Sequence, residues 1–282
     1  MRIEHVSDTA RWVATYRAME TERPDAIFRD PYARRLAGPT GEGIVANMRG
    51  AQSAAWAMIT RTAVFDEIIL REVRAGADVV LNLAAGLDAR PWRMELPPTL
   101  RWVDVDFPGI LDYKSELLAG EKPRCKYESV RIDLRDGAAR RALFASVGAP
   151  ARRVLVVSEG LLIYLTEQEV ADLAEDLYAV PSFYAWLIDL ASPRLLKWMS
   201  RSWGKAAAKG NAPFQFAPAT GTAFFKPHGW REREFRGSME EARRIKREMR
   251  GAWIWRFLGR FYSAKRREEF RRFSGFVLLE RA

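Results

Sequence analysis

The residues whose types and spacing could carry chemistry begin at Val79-Val80-Leu81-Asn82-Leu83-Ala84-Ala85-Gly86-Leu87-Asp88-Ala89-Arg90. An apolar run of strand length leads into small residues and a glycine. A ligand can therefore approach the backbone closely at Ala84 and Gly86, and Gly86 can take a positive φ without a Cβ penalty. Twenty positions further on stands Asp106, ending Trp102-Val103-Asp104-Val105-Asp106-Phe107-Pro108. A carboxylate at that spacing can accept hydrogen bonds from both hydroxyls of a ribose. Asp104, two residues earlier on the same strand face, is either an alternative acceptor or a surface carboxylate. The G-x-G-x-x-G fingerprint is absent, which disfavours the pyrophosphate of NAD or FAD. An adenosine-containing ligand without a pyrophosphate satisfies both observations, and S-adenosylmethionine is the obvious one.

Other chemistries are poorly supplied. Cys125 is the only cysteine, so neither a disulfide framework nor a cysteine-rich zinc site can be built, and a reducing, cytoplasmic setting is the expectation. His5 and His228 are the only histidines, which argues against a histidine-dominated metal centre and leaves two candidates for any imidazole mechanism. No metal is expected. The first 14 residues carry Arg2, Glu4 and Asp8 and have no apolar core, so they do not read as a secretory signal. No apolar run approaches the roughly 18 to 20 residues that span a bilayer.

The elements that must position these residues follow from the patterning. The 282 residues, 48% apolar and 29% charged, are ample for a large core. Residues 7 to 75 read as helices. Ser7-Asp8-Thr9 offers caps for a segment through Met19, Pro31 can open a second helix, and Ala54 to Arg74 carries Trp56, Ile59, Val64, Ile68 and Ile69 on one face before Gly76 stops it. From Asp78 the pattern changes to short apolar runs: Val79 to Leu83, Leu100 to Val105, Tyr127 to Ile132, Val154 to Val157 and Phe183 to Asp189, with a helix over Glu167 to Ala179. Continuously apolar strands alternating with helices imply a doubly wound, mostly parallel α/β sheet. Beyond it, Trp230 to Gly237 and Phe273 to Glu280 read as strands, and Ser238 to Arg250 as a helix with Glu241 at the capping-box position. The expected organisation is an N-terminal helical cap over 1–75 and a sheet domain over 76–282 with a helical insertion at about 191–272.

Five motifs in chain order carry a resemblance. Leu83 to Arg90, Val105-Asp106-Phe107-Pro108 with Lys114, and Ser158-Glu159-Gly160-Leu161-Leu162-Ile163-Tyr164-Leu165 lie in the sheet region. Asp30-Pro31-Tyr32-Ala33 with Arg61-Thr62 lie upstream, and Pro227-His228-Gly229-Trp230 with Glu240-Glu241-Ala242-Arg243 downstream. Together they resemble the leucine carboxyl methyltransferase-like family, in particular its bacterial S-adenosylmethionine-dependent O-methyltransferases, over most of residues 10 to 250. The resemblance implies a seven-stranded class I methyltransferase sheet. It implies that Arg61 grips the methionyl carboxylate, with Arg17 as a second clamp, since an always-charged planar fork suits a carboxylate. It implies that Ala84 and Gly86 line the cofactor turn, Asp106 holds the ribose, Asp133 and Leu134 meet the adenine, and Glu159 faces the methionyl amine. Asp133 could equally cap the following turn, and Asp88 and Arg90 could equally pair locally.

Methyl transfer to an already ionised carboxylate needs no general base, whereas a phenol, with a pKa near 10, would need one, and His228 is the candidate. Tyr164, like Tyr16 and Tyr32, either lines the acceptor pocket or packs. The expected acceptor is a small acidic or phenolic molecule. Residues 191–282 hold 22 Lys and Arg against 8 Asp and Glu, a net of +14 against −4 for the rest. That imbalance keeps two rivals in view, an RNA methyltransferase and a non-catalytic cofactor-binding protein that docks a partner or membrane. No recognisable RNA-binding module accompanies the charge, which argues against nucleic acid. In the same region Trp253, Ile254, Phe257, Leu258, Phe261 and Tyr262 fall at helical spacing. That stripe is a lid, a membrane-surface helix, or a helix packed on the sheet or on a second subunit, the last being the default because amphipathic helices usually bury their stripe.

Overall fold

A computed structural model describes residues 7–47, 51–209 and 213–282. His5 lies outside the described residues. Seven strands form one sheet in the order β3-β2-β1-β4-β5-β7-β6. They are β1 (Val79–Leu83), β2 (Arg101–Asp106), β3 (Lys126–Arg131), β4 (Val154–Ser158), β5 (Phe183–Ala191), β6 (Trp230–Gly237) and β7 (Ser274–Arg281). The first five are parallel, while β7 pairs antiparallel with β5 and with β6. All seven fall where the apolar runs place them, within two residues at each end. β1 and β4 are buried at every position, as strands covered on both faces must be. The two edge strands differ: β3 (Lys-Tyr-Glu-Ser-Val-Arg) and β6 (Trp-Arg-Glu-Arg-Glu-Phe-Arg-Gly) are largely charged.

Helices cover both faces. One apolar core, around Leu81, Val103, Phe144, Val156, Leu173 and Trp186, lies under α6 (Gly137–Gly148) and α7 (Glu167–Tyr178). The start of α7 is a reciprocal capping box between Thr166 and Glu169. The opposite core is built on α3 (Ala51–Arg74), whose Val64, Phe65, Ile68, Ile69 and Val73 pack against Val80, Leu155 and Leu187. Gly76, at φ +99, ends the chain's run out of that helix. Above the sheet, α1 (Ser7–Thr21) and α2 (Ala33–Asn47) complete the cap, α2 bending at Gly38-Pro39. The short α4 (Arg90–Arg93) follows β1, and α5 (Pro108–Leu117) follows β2.

Between β5 and β7 run α8 (Pro193–Lys209), a 3-10 turn over Gly221–His228, β6, α9 (Ser238–Arg244), α10 (Ala252–Gly259) and α11 (Ala264–Arg271). Two expectations fail here. The helix expected through Arg250 stops at Arg244, and no capping box forms, because Glu241 is taken by Arg236 and Arg244 and the Ser238 hydroxyl by that of Ser274. The apolar stripe of α10 is not buried in its own fold: Trp253, Phe257 and Phe261 are 65%, 53% and 74% exposed.

Asp104 is neither a surface group nor a free acceptor. It is fully buried, and its Oδ1 accepts from Trp102 Nε1 at 2.8 Å and Asn82 Nδ2 at 3.0 Å. Its Oδ2 accepts from Lys114 Nζ at 2.6 Å and the Tyr127 hydroxyl at 2.9 Å. The Lys114 ammonium is enclosed further by the rings of Trp92 and Tyr127, 5.3 and 5.7 Å from their centroids. Asp104, with Lys114 and Tyr127, ties α5, β2 and β3 together. Asp104→Asn, which strands the lysine charge, should lower stability by about 3–5 kcal/mol in urea unfolding. Adding Lys114→Met to it should recover most of that loss.

Candidate active site

The strand order reverses beside β1, with β2 on one side and β4 on the other, and the carboxyl ends of these strands form the crevice where sheets of this type hold ligands. Both Ala84, at φ +54, and Gly86, at φ +51, sit in the left-handed region. That conformation is costly for alanine and persists where surrounding structure imposes it. It turns the Gly86 N–H onto Asp106 Oδ2 at 2.7 Å, while Asp106 Oδ1 accepts from Phe107 N at 2.7 Å. Burial raises the Asp106 pKa above its ordinary 3.8 despite these bonds and the nearby Lys114 charge. A Cβ on Gly86 would stand 3.1 Å from Ala10 Cβ, so α1 lies directly over the turn.

A chain of buried charges surrounds this turn. Arg61, from α3, donates from Nε to Glu159 Oε1 at 3.0 Å and from Nη1 to Asp189 Oδ2 at 3.1 Å. Asp189 also accepts from Gly160 N at 2.6 Å, which holds the β4 exit against the β5 exit. Glu159 Oε2 is 2.8 Å from Arg90 Nη1. Arg90 in turn meets Asp88 Oδ2 at 2.8 Å and Asp66 Oδ1 at 2.6 Å, and Arg93 shares that Asp66 oxygen at 2.7 Å. Burial alone would raise the Asp88 pKa; Arg90, then Lys114, Arg93 and Arg17, overcome it and hold the group well below the usual carboxylate range. Arg17 donates to Asp30 at 2.8 Å and to the Leu87 carbonyl at 2.6 Å, which fastens α1 to the turn itself. Arg93 Nε is buried without a hydrogen bond, 3.8 Å from Asp30. Along this path the guanidiniums of Arg17, Arg61, Arg90 and Arg93 face the carboxylates of Asp30, Asp66, Asp88, Glu159 and Asp189, with Asp106 beside them. The balance is negative.

The sequence-derived residues therefore divide. Arg61, Glu159, Ala84, Gly86, Asp106, Arg17 and Tyr164 gather at the carboxyl ends of the strands. The Tyr164 hydroxyl bonds the Thr9 side chain, and burial raises its pKa, so it is protonated at neutral pH. Asp88 and Arg90 pair locally, as one of the two readings held. Asp133 lies in a surface turn, where it accepts from Arg135 N at 2.9 Å and pairs with that guanidinium at 2.8 Å, while Leu134 packs on the edge of the core. His228 is not at the site. Its neighbour Trp230 pairs with Arg281 at the amino end of the parallel strands, and its Nδ1 lies 2.9 Å from Glu175 Oε1. It is thus corrected from a candidate base to a residue of the opposite end of the sheet. Tyr16 is fully buried against Trp12, its pKa pushed up to about 12 by burial, and it belongs to the packing of the cap. Sequence reasoning missed Asp66, Arg93 and Asp189. Asp189 had a usable signal, a carboxylate at the carboxyl end of a strand next to that of Glu159.

A cavity of about 310 Å³ opens at the same end of the sheet. Apolar side chains of Trp56, Met239, Met249, Tyr262 and Phe270 line it, and its charged lining is mixed, Arg243, Arg267 and Arg271 with Glu240 and Glu248. Trp56 stands five residues before Arg61 on α3, about 7.5 Å along the helix axis.

The fold is that of the class I methyltransferases. Over nearly its full length it is similar to a DUF574 family protein from Streptomyces avermitilis, with TM-score 0.58, 13% identity and coverage of 95% of this chain and 97% of that one. It is also similar to a Thermobifida fusca protein assigned by inference as a methyltransferase, with TM-score 0.55, 15% identity and coverage of 95% and 93%. The chain belongs to the leucine carboxyl methyltransferase family, which matches residues 10–178. A Rhodococcus jostii relative is 38% identical over 171 residues, 58% of each chain. One from Frankia alni is 36% identical over 178 residues, 59% of this chain and 62% of that one. Both are named, by inference, as S-adenosyl-L-methionine-dependent methyltransferases, and the chain spans about three fifths of their length.

The buried network and the exposed pair at Asp133 should respond differently to substitution. Asp66→Asn leaves Arg90 and Arg93 under-neutralised and should cost about 3 kcal/mol in chemical denaturation. Arg135→Ala, on an exposed pair, should cost less than about 1 kcal/mol.

Proposed function

We propose that this chain is an S-adenosylmethionine-dependent O-methyltransferase that methylates the carboxylate of a small or lipophilic acid. The observation that carries the reading is the Gly86–Asp106 contact at the strand reversal, set in a charge cluster with more carboxylates than guanidiniums. A donor with a sulfonium and an ammonium against one carboxylate is a net cation, and it complements that excess. The residues present fit the group. Asp106 has oxygens for the ribose hydroxyls, and Ala84 and Gly86 present little side chain to it. The Arg61–Glu159–Asp189 triad can trade its internal pairs for those of a zwitterionic methionyl end, the ammonium to the carboxylates and the carboxylate to Arg61, at no change in net charge. Asp133 and Leu134 remain the residues proposed at the adenine. Because α1 lies over Gly86, the cofactor reaches the turn only as α1 gives way.

When bound, the cofactor supplies an electrophilic methyl group for in-line displacement. The chain's own task is alignment in a water-poor crevice, with the donor's charge held by fixed carboxylates. Among the described residues no histidine stands at the site, and Tyr164 is a protonated hydroxyl rather than a base. An acceptor that arrives already ionised fits this inventory, and carboxylic acids do so at pH 7. The cavity beneath α10 offers apolar walls for the carbon skeleton of such an acid.

Calorimetric titration should show binding of S-adenosylmethionine and of S-adenosylhomocysteine, weakened at least about tenfold by Asp106→Ala, which removes two charge-assisted acceptors. Unchanged affinity in that variant would overturn the ribose assignment. Ribose donation favours the ionised form of Asp106, so affinity is full above the raised pKa of the free protein. It falls as pH drops through that pKa, earlier than for an ordinary carboxylate. Methyl transfer to carboxylic acids should be flat across neutral pH, and His228→Ala should leave turnover within about twofold. A histidine-like inflection, or transfer only to phenols, would refute the carboxylate reading.

A further inference from the structure

Helix α10 is built inside out. Its small residues, Ala252 and Gly259, line the cavity that separates it from α3 and α9, whereas Trp253, Ile254, Phe257 and Leu258 face water. Trp253, Ile254, Phe257, Leu258 and Phe261 are 41–74% exposed, and the rings of Phe257 and Phe261 stack edge to face at 5.6 Å. Positions 253, 257 and 261 follow one another at intervals of four, with 254 and 258 alongside, so the five form one continuous apolar stripe. Between Glu248 and Glu268-Glu269 the sequence is one-signed. Residues 249–267 include Arg250, Arg256, Arg260, Lys265, Arg266 and Arg267 and not one Asp or Glu. A solvated helix would carry its bulk inward; here the bulk is exposed, and the exposed cations Arg260, Lys265 and Arg266 follow it directly.

We propose that α10 and the basic turn after it are a docking face for an anionic phospholipid surface. The aromatic and aliphatic stripe enters the boundary between headgroups and acyl chains, while the flanking guanidiniums and ammonium pair with lipid phosphates. Charge selects this occupant over a second copy of the chain, since a twofold contact would press the same run of cations against itself. Ile254 and Leu258 select it over nucleic acid, which offers stacking planes and phosphates but no hydrocarbon for aliphatic side chains. The proposal stands independently of the methyl-transfer chemistry. Docked in this way, the cavity behind α10 sits at the lipid surface, where amphiphilic acids concentrate.

The test is flotation of the full chain with vesicles of phosphatidylcholine alone and of phosphatidylcholine mixed in equal parts with phosphatidylglycerol. Flotation is expected with the anionic vesicles, at least about tenfold stronger than with the neutral ones, and should weaken with salt. Trp253→Glu with Phe261→Glu should reduce it more than about tenfold, because two bulky side chains no longer leave water. Lys265→Gln and Arg266→Gln should cost about fivefold each. These side chains are on the surface, so the thermal midpoint should not move. If the double glutamate variant fails to fold, tryptophan quenching by brominated anionic lipid in the unaltered chain, reduced in Trp253→Phe, replaces it. Equal flotation with both vesicle types, or flotation indifferent to all these substitutions, overturns the proposal. So does no flotation accompanied by RNA binding, or by a dimer that Trp253→Glu dissociates.

Discussion

A charge taken out of water must find an opposite charge, and in this protein that requirement binds the helical cap to the sheet in addition to their apolar contact. The guanidiniums of Arg61, Arg90 and Arg93 start from α3 and from the segment after β1, and they reach Asp66 on α3 itself, Glu159 after β4 and Asp189 in β5. Arg17 carries the same linkage into α1 through the Leu87 carbonyl. The cap is therefore held to the carboxyl ends of the strands by ion pairs and not by apolar contact alone. An arrangement of this kind is stable when complete and costly when one member is missing. It also accounts for the left-handed backbone that Ala84 keeps, since the turn is anchored on both sides.

The central strands were legible because a sheet covered on both faces demands uninterrupted apolar runs, whereas the charged edge strands β3 and β6 carry no such run. The turn at Gly86 and its partner Asp106 were legible for a related reason: a backbone that must be approached closely excludes large side chains. Asp66 was not, because its partner Arg90 lies 24 positions away and nothing local marks a helix carboxylate as one that will be buried, and Asp189, though its strand-end position is a signal, pairs with Arg61 128 positions away. Asp104 misled in the same way, since a strand-end acid and a buried hub have the same sequence signature until Lys114 and Tyr127 fold around it. The overlong helix at Ser238 shows a local rule losing to tertiary pairing, as Glu241 serves Arg236 in place of the cap. For α10, period alone located the helix, but the direction in which its stripe points is not a property of period.

Charge is divided between two regions of the molecule. The cluster around β1 and β4 has carboxylates in excess, and the segment after β5 has cations in excess. The first arrangement suits a positively charged donor, and the second suits negatively charged acceptors or surfaces. The clasp of Arg247 onto Glu20, at 2.8 Å, joins the two regions directly, so displacement of α1 is felt by the C-terminal segment.

Both margins of the sheet are bristling with ionic side chains, Lys126, Glu128 and Arg131 along one rim and Arg231 through Arg236 along the other. An approaching foreign strand would have to strip those groups of solvent before any ladder could form, which is how open sheets escape runaway stacking. The practical corollary concerns handling. If a weakened variant of this protein precipitates, the culprit is to be sought in the greasy helix and not along the rims, and adding a mild detergent should rescue it where adding salt does not.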